Sequence, residues 1–291
     1  MYFSRVRIQP SIFKSSQLSK VLEGNIYGIH RLLWGLFPEQ QQRTFLYREE
    51  IAREQLDSLS TARGEAIYYL VSKTKPIENE LFSVDFKDYQ PQLEVGQHLT
   101  FECRVNPVVT RLGKKHDVVM DAQQQFLKLL VKELNLENYL PDKPEKSAYK
   151  KLLLDKGGEA FVQRLKDRLQ VDPLYAERLH QTFQNADLLE WAIKADVDRA
   201  LENWFKRQGE RLGFTLLTDD NGLSKLQNSA YQWHSLSIKG GKGDKSGFSS
   251  IDFTGELQIT DIHKFKEALF NGMGRSKAFG CGLLLIRRSQ K

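Results

Sequence analysis

The most informative part of the sequence lies near the carboxyl end and reads FSSIDFTGELQITDIHKFKEALFNGMGRSKAFGCGLLLIRR, residues 248–288. Its first part alternates apolar with polar residues, a period of two that predicts a strand with one apolar face: Ile251, Phe253, Leu257 and Ile259. IHKFKEALF then has the pattern of a short helix that ends at glycine, and GCGLLLIRR predicts a last strand. The stretch is therefore a strand, a helix, a glycine-rich loop and a strand.

The same kinds of element follow one another at the amino end. MYFSRVRIQP predicts a strand, and GNIYGIHRLLWGLFP predicts a helix that ends at Pro38. RTFLYREE and EAIYYLVSKT are rich in aromatic and branched residues, which is typical of strands. With a short helix around residues 76–81, the order becomes β-α-β-β-α-β, the ferredoxin-like arrangement.

The middle of the chain separates these two regions. LTFECRVNPVV predicts a strand, residues 122–211 are mostly helical by pattern, and GFTLLTD and YQWHSLSIKG predict further strands. Without the helical block, the second half repeats the order of the first. The sequence therefore predicts an α+β protein of two tandem ferredoxin-like (RRM-like) halves. We expect an N-terminal domain over 1–92 and a C-terminal domain over 93–291, with a helical insertion at about 121–211 and a glycine-rich loop over 272–282.

Composition and charge narrow the class of protein. The chain has 291 residues, 40% of them hydrophobic, with a formal net charge of +6. The helical block is close to neutral, so the basic excess lies elsewhere, most clearly at the two ends of the chain. If the ends meet in space, they form one positive face suited to a polyanion. No signal-peptide pattern and no apolar run of membrane-spanning length occurs, and the two cysteines lack Cys-x-x-Cys spacing. We expect a cytoplasmic protein without a membrane partner.

The glycine-rich loop fails the known nucleotide-binding patterns. Lys277 stands where the dinucleotide fingerprint needs its third glycine, and Asp244 precedes Lys245–Ser246 where the P-loop needs glycine. The loop also runs from helix to strand, whereas nucleotide loops run from strand to helix. We interpret it as a loop that contacts a phosphate backbone; the alternative is a helix cap followed by a tight turn. Its candidate contact residues are Gly272, Gly274, Arg275, Lys277, Gly280 and Gly282.

A second glycine- and lysine-rich stretch, KGGKGDKSG at 239–247, separates two predicted strands. It is either a flexible hairpin tip or a basic hairpin that contacts nucleic acid through Lys239, Lys242 and Lys245. Both interpretations stay open at this point.

The first helix carries the candidate for proton transfer. On a helical projection Ile29 and Leu33 lie on the buried stripe, while Tyr27, His30 and Trp34 lie together on its flank. Imidazole is the side chain suited to moving protons at neutral pH, although a half-buried histidine bonded to Tyr27 has the same pattern. The remaining histidines show no metal-ligand spacing, so we expect neither a metal nor another cofactor.

Taken in order, these motifs resemble a known family. YGIHRLLWGLFP, RTFLYREE, FECRVNPVVTRLGKKH, GFTL and the final GMGRSKAFGCGLL are similar to segments of the CasE-type CRISPR-associated endoribonucleases, the RNA-processing subunits of the type I-E Cascade complex. The similarity covers residues 1–120 and 212–291. The segment at 121–211 departs from it, since family members have a shorter helical piece there, and it either braces the fold or contacts a partner protein.

The resemblance implies a function as well as a fold. It implies metal-independent cleavage of CRISPR repeat RNA at the 3′ base of its stem-loop, with the 2′-hydroxyl attacking the adjacent phosphate. It further implies that the cut RNA stays bound and that other Cascade subunits are partners. His30 would be the proton-transfer residue with Tyr27 beside it, acting as either base or acid, and Arg31 and the glycine loop would bind RNA. The alternative is a non-catalytic RNA-binding subunit of the same kind of complex.

Overall fold

The structure of the chain is a computed structural model that describes residues 1–9, 26–51, 66–181, 184–236 and 247–289. The chain forms two compact units, Met1–Pro107 with Lys206–Lys291, and Val108–Phe205. The strands are β1 (Tyr2–Ile8), β2 (Phe45–Ile51), β3 (Ala66–Ser72), β4 (Phe82–Asp88), β5 (His98–Val105), β6 (Val108–Arg111), β7 (Lys114–Asp117), β8 (Phe214–Leu216), β9 (Leu226–Ser235), β10 (Gly247–Ile259) and β11 (Leu284–Arg288). The α-helices are α1 (Ile26–Trp34), α2 (Val118–Glu133), α3 (Lys146–Lys156), α4 (Gly158–Gln170), α5 (Pro173–Ala176), α6 (Asn185–Leu212) and α7 (Ile262–Asn271).

The first four strands form an antiparallel sheet in the order β2-β3-β1-β4, which is the ferredoxin-like order. The predicted helix around residues 76–81 is wrong, because this segment is irregular. Pro76 disfavours helical geometry at the residue before it. The side chain of Asn79 accepts hydrogen bonds from the backbone N–H groups of Leu81 and Phe82, each at 3.0 Å, which satisfies donors that a helix would otherwise use.

The carboxyl half forms a second antiparallel sheet in the order β11-β5-β10-β8, with β9 also paired to β10. Strand β10 is long enough to pair with β9 along its first part and with β8 along its last three residues. Counting β5, β9, β10 and β11, the order again is ferredoxin-like. The predicted tandem ferredoxin-like class is therefore confirmed. The four apolar residues predicted to share one face of β10 are all buried.

Each face of the first sheet has its own core. On one face, Leu33 of α1 and Leu36 just after the helix are fully buried against strand residues that include Leu70. On the other face, Leu46 and Val71 pack with Leu283, which immediately precedes β11. The two ferredoxin-like halves therefore share an apolar contact. Burying a leucine side chain contributes about 1.5–3 kcal/mol, so these contacts hold the halves together.

A polar cluster also joins the two sheets. Arg104 of β5 donates two hydrogen bonds to Asp252 of β10, at 2.7 and 2.9 Å. Arg48 of β2 lies 3.8 Å from the same carboxylate and 2.5 Å from Glu50, and its side chain is only 5% exposed. A buried guanidinium needs such partners, so Asp252 ties β2 to the second sheet.

The second compact unit contains the helical block together with the short β6–β7 hairpin. Its helices bury a leucine- and phenylalanine-rich core that includes Leu127, Leu130, Phe161, Leu165, Leu201 and Phe205. The indole N–H of Trp204 donates to the carbonyl of Val108, which anchors the hairpin to α6. None of the helices in the described part of the chain is both long enough and apolar enough to span a membrane.

Candidate active site

His30 of α1 lies inside an aromatic cage. Its ring stacks on Phe45 with 5.6 Å between centroids, meets the edge of Trp34 at 5.4 Å and lies 6.4 Å from the ring of Tyr47. The residue is only 7% exposed. The sequence placed His30 on the flank of the buried stripe of α1, but the structure buries it. Aromatic side chains of strand β2 cover the face of α1 that carries His30, which the helical projection placed between the buried and the exposed sides of the helix.

Burial sets the protonation state of His30. The pKa of His30 is lowered from its ordinary value of 6.5, first by burial and second by the positive charge of Arg43. The imidazole is therefore mostly neutral at neutral pH. A neutral imidazole has a lone pair that can accept a proton.

Strand β2 positions the neighbours of His30 by simple alternation. Phe45 and Tyr47 lie two apart on the strand, so their side chains share the face that meets α1, and Arg43 lies two residues before the strand begins. The carbonyl of Thr44 accepts a hydrogen bond from Lys73 N–H, which extends the pairing of β2 with β3 towards Arg43. The sequence patterns did not identify Arg43, Phe45 or Tyr47 as site residues. The alternation in RTFLYREE could have indicated them, because residues two apart on a strand lie on the same face.

The glycine-rich loop follows α7 and has a left-handed backbone at several positions. Gly272, Gly274, Gly280 and Gly282 all have φ between 74° and 93°. Two backbone hydrogen bonds hold the loop, from Met273 N–H to the carbonyl of Gly282 at 2.9 Å and from Gly282 N–H to the carbonyl of Arg104 at 2.7 Å.

At three of these glycines a side chain would crowd its neighbours. A Cβ at 272 would lie 2.9 Å from Leu46, one at 282 would lie 2.6 Å from the carbonyl oxygen of Met273, and one at 280 would lie 3.3 Å from the ring of Tyr47. The glycines thus let the loop pack closely on β2 and on itself. This packing role accounts for Gly272, Gly280 and Gly282 without a ligand.

The cations of the loop differ in their surroundings. Arg275 is exposed, whereas Lys277 is half-buried and its ammonium group donates to the carbonyl of Asn271 at 2.7 Å. Burial and then the charge of Arg43 lower the pKa of Lys277. Between them Ser276 has φ of 55°, and its hydroxyl oxygen accepts a hydrogen bond from the buried Asn106 at 2.6 Å. Arg275 is therefore accessible to a polyanion, and Lys277 belongs to the site around His30.

Tyr47 connects the loop to His30. Its hydroxyl donates a hydrogen bond to the carbonyl of Ala278 at 3.2 Å, within the 3₁₀ turn Lys277–Phe279. That turn contacts both α1 and β2. Burial, the first of several causes, raises the pKa of the Tyr47 hydroxyl, so it stays protonated and keeps this bond. The fold thus brings His30, Tyr47, Arg43 and Lys277 together, a proton acceptor beside two cations.

The remaining predicted site residues have different outcomes. Arg31 is exposed on α1, on the turn that carries His30. Tyr27 lies in the first turn of α1, and its side chain is outside the part that the structure describes. Lys239, Lys242 and Lys245 also lie outside the described residues. Within the described ranges, His, Cys, Asp and Glu side chains form no group of three or more that could ligate a metal ion.

Comparisons with known proteins agree with this architecture. The chain is similar in structure to the CRISPR endoribonuclease Cse3 bound to a 19-nucleotide RNA, with a TM-score of 0.56 and 18% identity over 99% of this chain and 100% of that one. It is also similar to Thermus thermophilus Cse3 bound to an RNA representing a pre-cleavage complex, with a TM-score of 0.55 and 18% identity over 98% of each chain. A CRISPR-associated protein from Thermus thermophilus matches with a TM-score of 0.54 and 19% identity over 99% of this chain and 100% of that chain. At these identities the likeness shows the fold.

The sequence comparisons identify the family. No curated protein matches the chain at a significant level. The family model described as CRISPR associated protein matches residues 1–288. This match confirms, at the level of the family, the resemblance that the sequence motifs indicated. The chain belongs to the CRISPR-associated protein family.

Proposed function

We propose that this protein is an endoribonuclease that cleaves CRISPR repeat RNA at the 3′ base of its stem-loop without a metal ion. The observation that carries the proposal is the contact between the His30 cage and the glycine-rich loop through Tyr47. It brings a histidine that can accept a proton beside two cations that can stabilise a phosphate. Two structures of similar fold hold RNA, and one of them represents a pre-cleavage complex.

In the reaction, neutral His30 accepts the proton of the 2′-hydroxyl next to the scissile phosphate. The 2′ oxygen then forms a bond to phosphorus, and the bond from phosphorus to the 5′ oxygen of the next nucleotide breaks. That 5′ oxygen takes a proton from water, and the hydroxide that is left takes the proton from His30, which returns to its neutral form. The products are a 2′,3′-cyclic phosphate and a 5′-hydroxyl. The lowered pKa of His30 supports the role of base over that of acid, because a base must enter the reaction unprotonated.

Lys277 and Arg43 stabilise the negative charge that develops on the phosphate oxygens. The charge of Arg43 lowers the pKa of both His30 and Lys277, so its charge reaches both groups, and two neighbouring cations attract an incoming phosphate. The exposed Arg275 and Arg31 hold the RNA backbone near the cut. An A-form stem offers phosphates and 2′-hydroxyls rather than readable major-groove edges, which suits recognition by cations.

The proposal extends to the domains, the partners and the remaining RNA-binding residues. We assign the proton-transfer helix to an N-terminal domain over 1–92 and the glycine-rich loop to a C-terminal domain over 93–291, with the insertion at about 121–211. The cut RNA stays bound, the protein acts as a subunit of a Cascade complex, and it works in the cytoplasm, where repeat transcripts are made. Tyr27 assists His30, and Lys239, Lys242 and Lys245 add phosphate contacts.

The direct test compares His30→Ala with the unmodified protein on the repeat RNA from the same organism. Cleavage under single-turnover conditions should fall by about 10²–10⁴-fold, the usual contribution of general acid–base catalysis, while RNA affinity changes little. End-group analysis should find a cyclic phosphate and a 5′-hydroxyl, and excess EDTA should leave the rate unaffected.

Two controls separate this proposal from a non-catalytic RNA-binding subunit. Replacing the 2′-hydroxyl at the cleavage site with hydrogen should abolish cleavage while the RNA still binds. Unmodified protein that binds the repeat and never cuts it would establish the binding-only role. Undiminished cleavage by His30→Ala would remove His30 from the mechanism.

A further inference from the structure

The 3₁₀ turn Lys277–Phe279, called the Lys277 turn below, carries one of the two cations of the proposed active site and is only three residues long. It lies between two left-handed residues, Ser276 with φ of 55° and Gly280 with φ of 77°. Within it, Phe279 N–H donates to the carbonyl of Ser276 at 2.8 Å. So short a turn has little stability of its own, because helical structure becomes favourable only over several turns. Its position is therefore set by the segments that pack against it.

On the side of the first sheet, Tyr47 of β2 contacts the Lys277 turn. Its hydroxyl donates to the carbonyl of Ala278 at 3.2 Å, and its ring lies against Gly280. A single hydrogen bond of this length tolerates a broad range of angles, so it does not by itself fix the orientation of the turn. A contact from another direction is needed to set the direction of the Lys277 side chain.

A stack of three rings supplies that contact from the second sheet. The ring of Phe279 stacks on Phe248 of β10, with 4.9 Å between centroids and 25° between planes. Phe248 stacks in turn on His234 of β9, at 4.7 Å and 26°. Phe248 and His234 are paired residues of the two strands, so the sheet itself aligns their rings. These three residues form the His234 stack, which connects β9 and β10 to the Lys277 turn.

A buried hydroxyl holds His234 at the far end of the stack. Its Nε2 atom shares a hydrogen bond of 2.7 Å with the Oγ atom of Ser250, which is only 2% exposed. Burial and then the charge of Arg104 lower the pKa of His234, so the ring is mostly neutral at neutral pH and stacks without the cost of a buried charge. A phenylalanine could stack here as well, but a ring that also forms a hydrogen bond is held in one orientation.

We infer that His234 is a positioning residue for RNA cleavage, which acts through Phe248 and Phe279 to fix Lys277 beside the scissile phosphate. The inference rests on the proposed function, in which Lys277 stabilises the charge that develops on the phosphate oxygens. A group with that role must be held within about 0.5 Å of its productive position. A turn that shifts would therefore cost the chemical step more than it costs RNA affinity.

The test uses full-length protein and the repeat stem-loop RNA, in single-turnover cleavage at increasing protein concentration. We expect His234→Ala to lower the rate at saturating protein by about tenfold and to change the half-saturating concentration by less than about twofold. Phe279→Leu should cause the same loss, whereas Phe279→Tyr keeps a ring for stacking and should retain the rate. The matched control is Phe3→Leu, which breaks a stack with Tyr69 in the first sheet, at 5.9 Å and 22°. It should lower the melting temperature and leave the rate unchanged.

A double-mutant cycle shows whether His234 acts through Lys277. In Lys277→Ala protein, His234→Ala should lower the remaining rate by less than about twofold, because the group that it positions is already gone. Amide hydrogen exchange gives a second measurement that needs no RNA. The Phe279 N–H, which bonds to the carbonyl of Ser276, should exchange about tenfold faster in His234→Ala and at the unmodified rate in Phe3→Leu.

An unchanged rate in His234→Ala, or losses that multiply fully in the double variant, would overturn the inference. A higher half-saturating concentration with an unchanged rate would make His234 an RNA-binding residue instead. An equal loss of rate in Phe3→Leu would reduce the effect to general stability, and it would overturn the inference as well. The proposed function fails on a different result, an unmodified protein that leaves the repeat uncut, and exchange of the Phe279 N–H then still shows whether His234 holds the turn.

Discussion

The hydroxyl of Tyr47 donates a hydrogen bond to the backbone carbonyl of Ala278, 3.2 Å away and 231 residues later in the chain. The same ring lies 6.4 Å from the ring of His30 and against Gly280. One side chain on β2 therefore contacts both the proton-transfer residue and the loop that carries Lys277. The position of the glycine-rich loop relative to His30 therefore depends on β2.

Tyr47→Phe removes that hydrogen bond and keeps the ring. Small displacements of reacting groups are costly in catalysis, so we expect single-turnover cleavage to fall by about tenfold. The stability loss should be only about 0.5–1.5 kcal/mol, the usual contribution of one hydrogen bond. The matched control is Tyr68→Phe on β3, whose hydroxyl bonds to Glu49 rather than to the loop. Equal losses of cleavage in both variants would show that Tyr47 has no special positioning role.

Gly282→Ala tests how closely the loop must pack. The new Cβ would lie 2.6 Å from the carbonyl oxygen of Met273, and φ of 93° disfavours alanine. We expect a lower melting temperature together with loss of cleavage. Gly222→Ala is the control, since its φ of 77° carries a similar backbone penalty and no atom lies within 4 Å of the new Cβ. Its cost should be about 1 kcal/mol with cleavage preserved. A Gly282 variant as stable and active as the Gly222 variant would contradict the packing role.

The pH dependence of kcat/KM follows from the lowered pKa of His30. A base must be unprotonated, so kcat/KM should rise with pH, reach half of its maximum below 6.5 and then level off near neutral pH. If His30 acts as an acid, kcat/KM should instead fall as the pH rises through the same range. Measuring the profile with subsaturating RNA distinguishes the two roles, because kcat/KM reports the free enzyme.

The two cations of the loop should separate catalysis from binding. Lys277→Ala removes a half-buried charge that interacts with Arg43, and we expect a loss of about 10²-fold or more in the cleavage rate at saturating protein. Arg275→Ala removes an exposed charge, and we expect mainly a higher Kd with a salt slope reduced by about 1. Rate and affinity measured on both variants check this division. Equal effects of both variants on the cleavage rate would argue against it.

Asp252→Ala should loosen the contact between the two sheets. It strips Arg104 of two hydrogen bonds and leaves the buried Arg48 with fewer partners, so unfolding free energy should drop by about 3–5 kcal/mol. Asp85→Ala is the control, because it breaks the exposed pair with Arg5 and should cost less than about 1 kcal/mol. Urea denaturation of both variants measures the difference, and similar midpoints would mean that the cluster contributes little.

Local patterns were enough to predict most of the fold. The alternation in β10 predicted a strand whose apolar face is buried, and the helical block appeared where its periodicity indicated. The helix expected at 76–81 failed because Asn79 satisfies the local backbone donors in another way. His30 was found from its residue type and its position on α1, but its burial was not. The burial of His30 depends on Phe45 and Tyr47. The alternation in the sequence placed these two residues on one face of β2, but it did not show that this face packs against α1.

Periodicity, turn residues and side-chain chemistry are local properties, so they were enough to predict the order of strands and helices, the glycine-rich loop and His30 as the candidate for proton transfer. The surroundings of His30 follow instead from long-range packing, because Tyr47 lies on β2, Arg43 lies just before β2, and Lys277 lies in a loop more than 200 residues later. The same long-range packing places Gly272 and Gly280 against β2, and it places Gly282 against Met273 of the loop itself. The lowered pKa of His30 arises from that packing as well, because desolvation and a neighbouring charge depend on distance in space rather than in sequence.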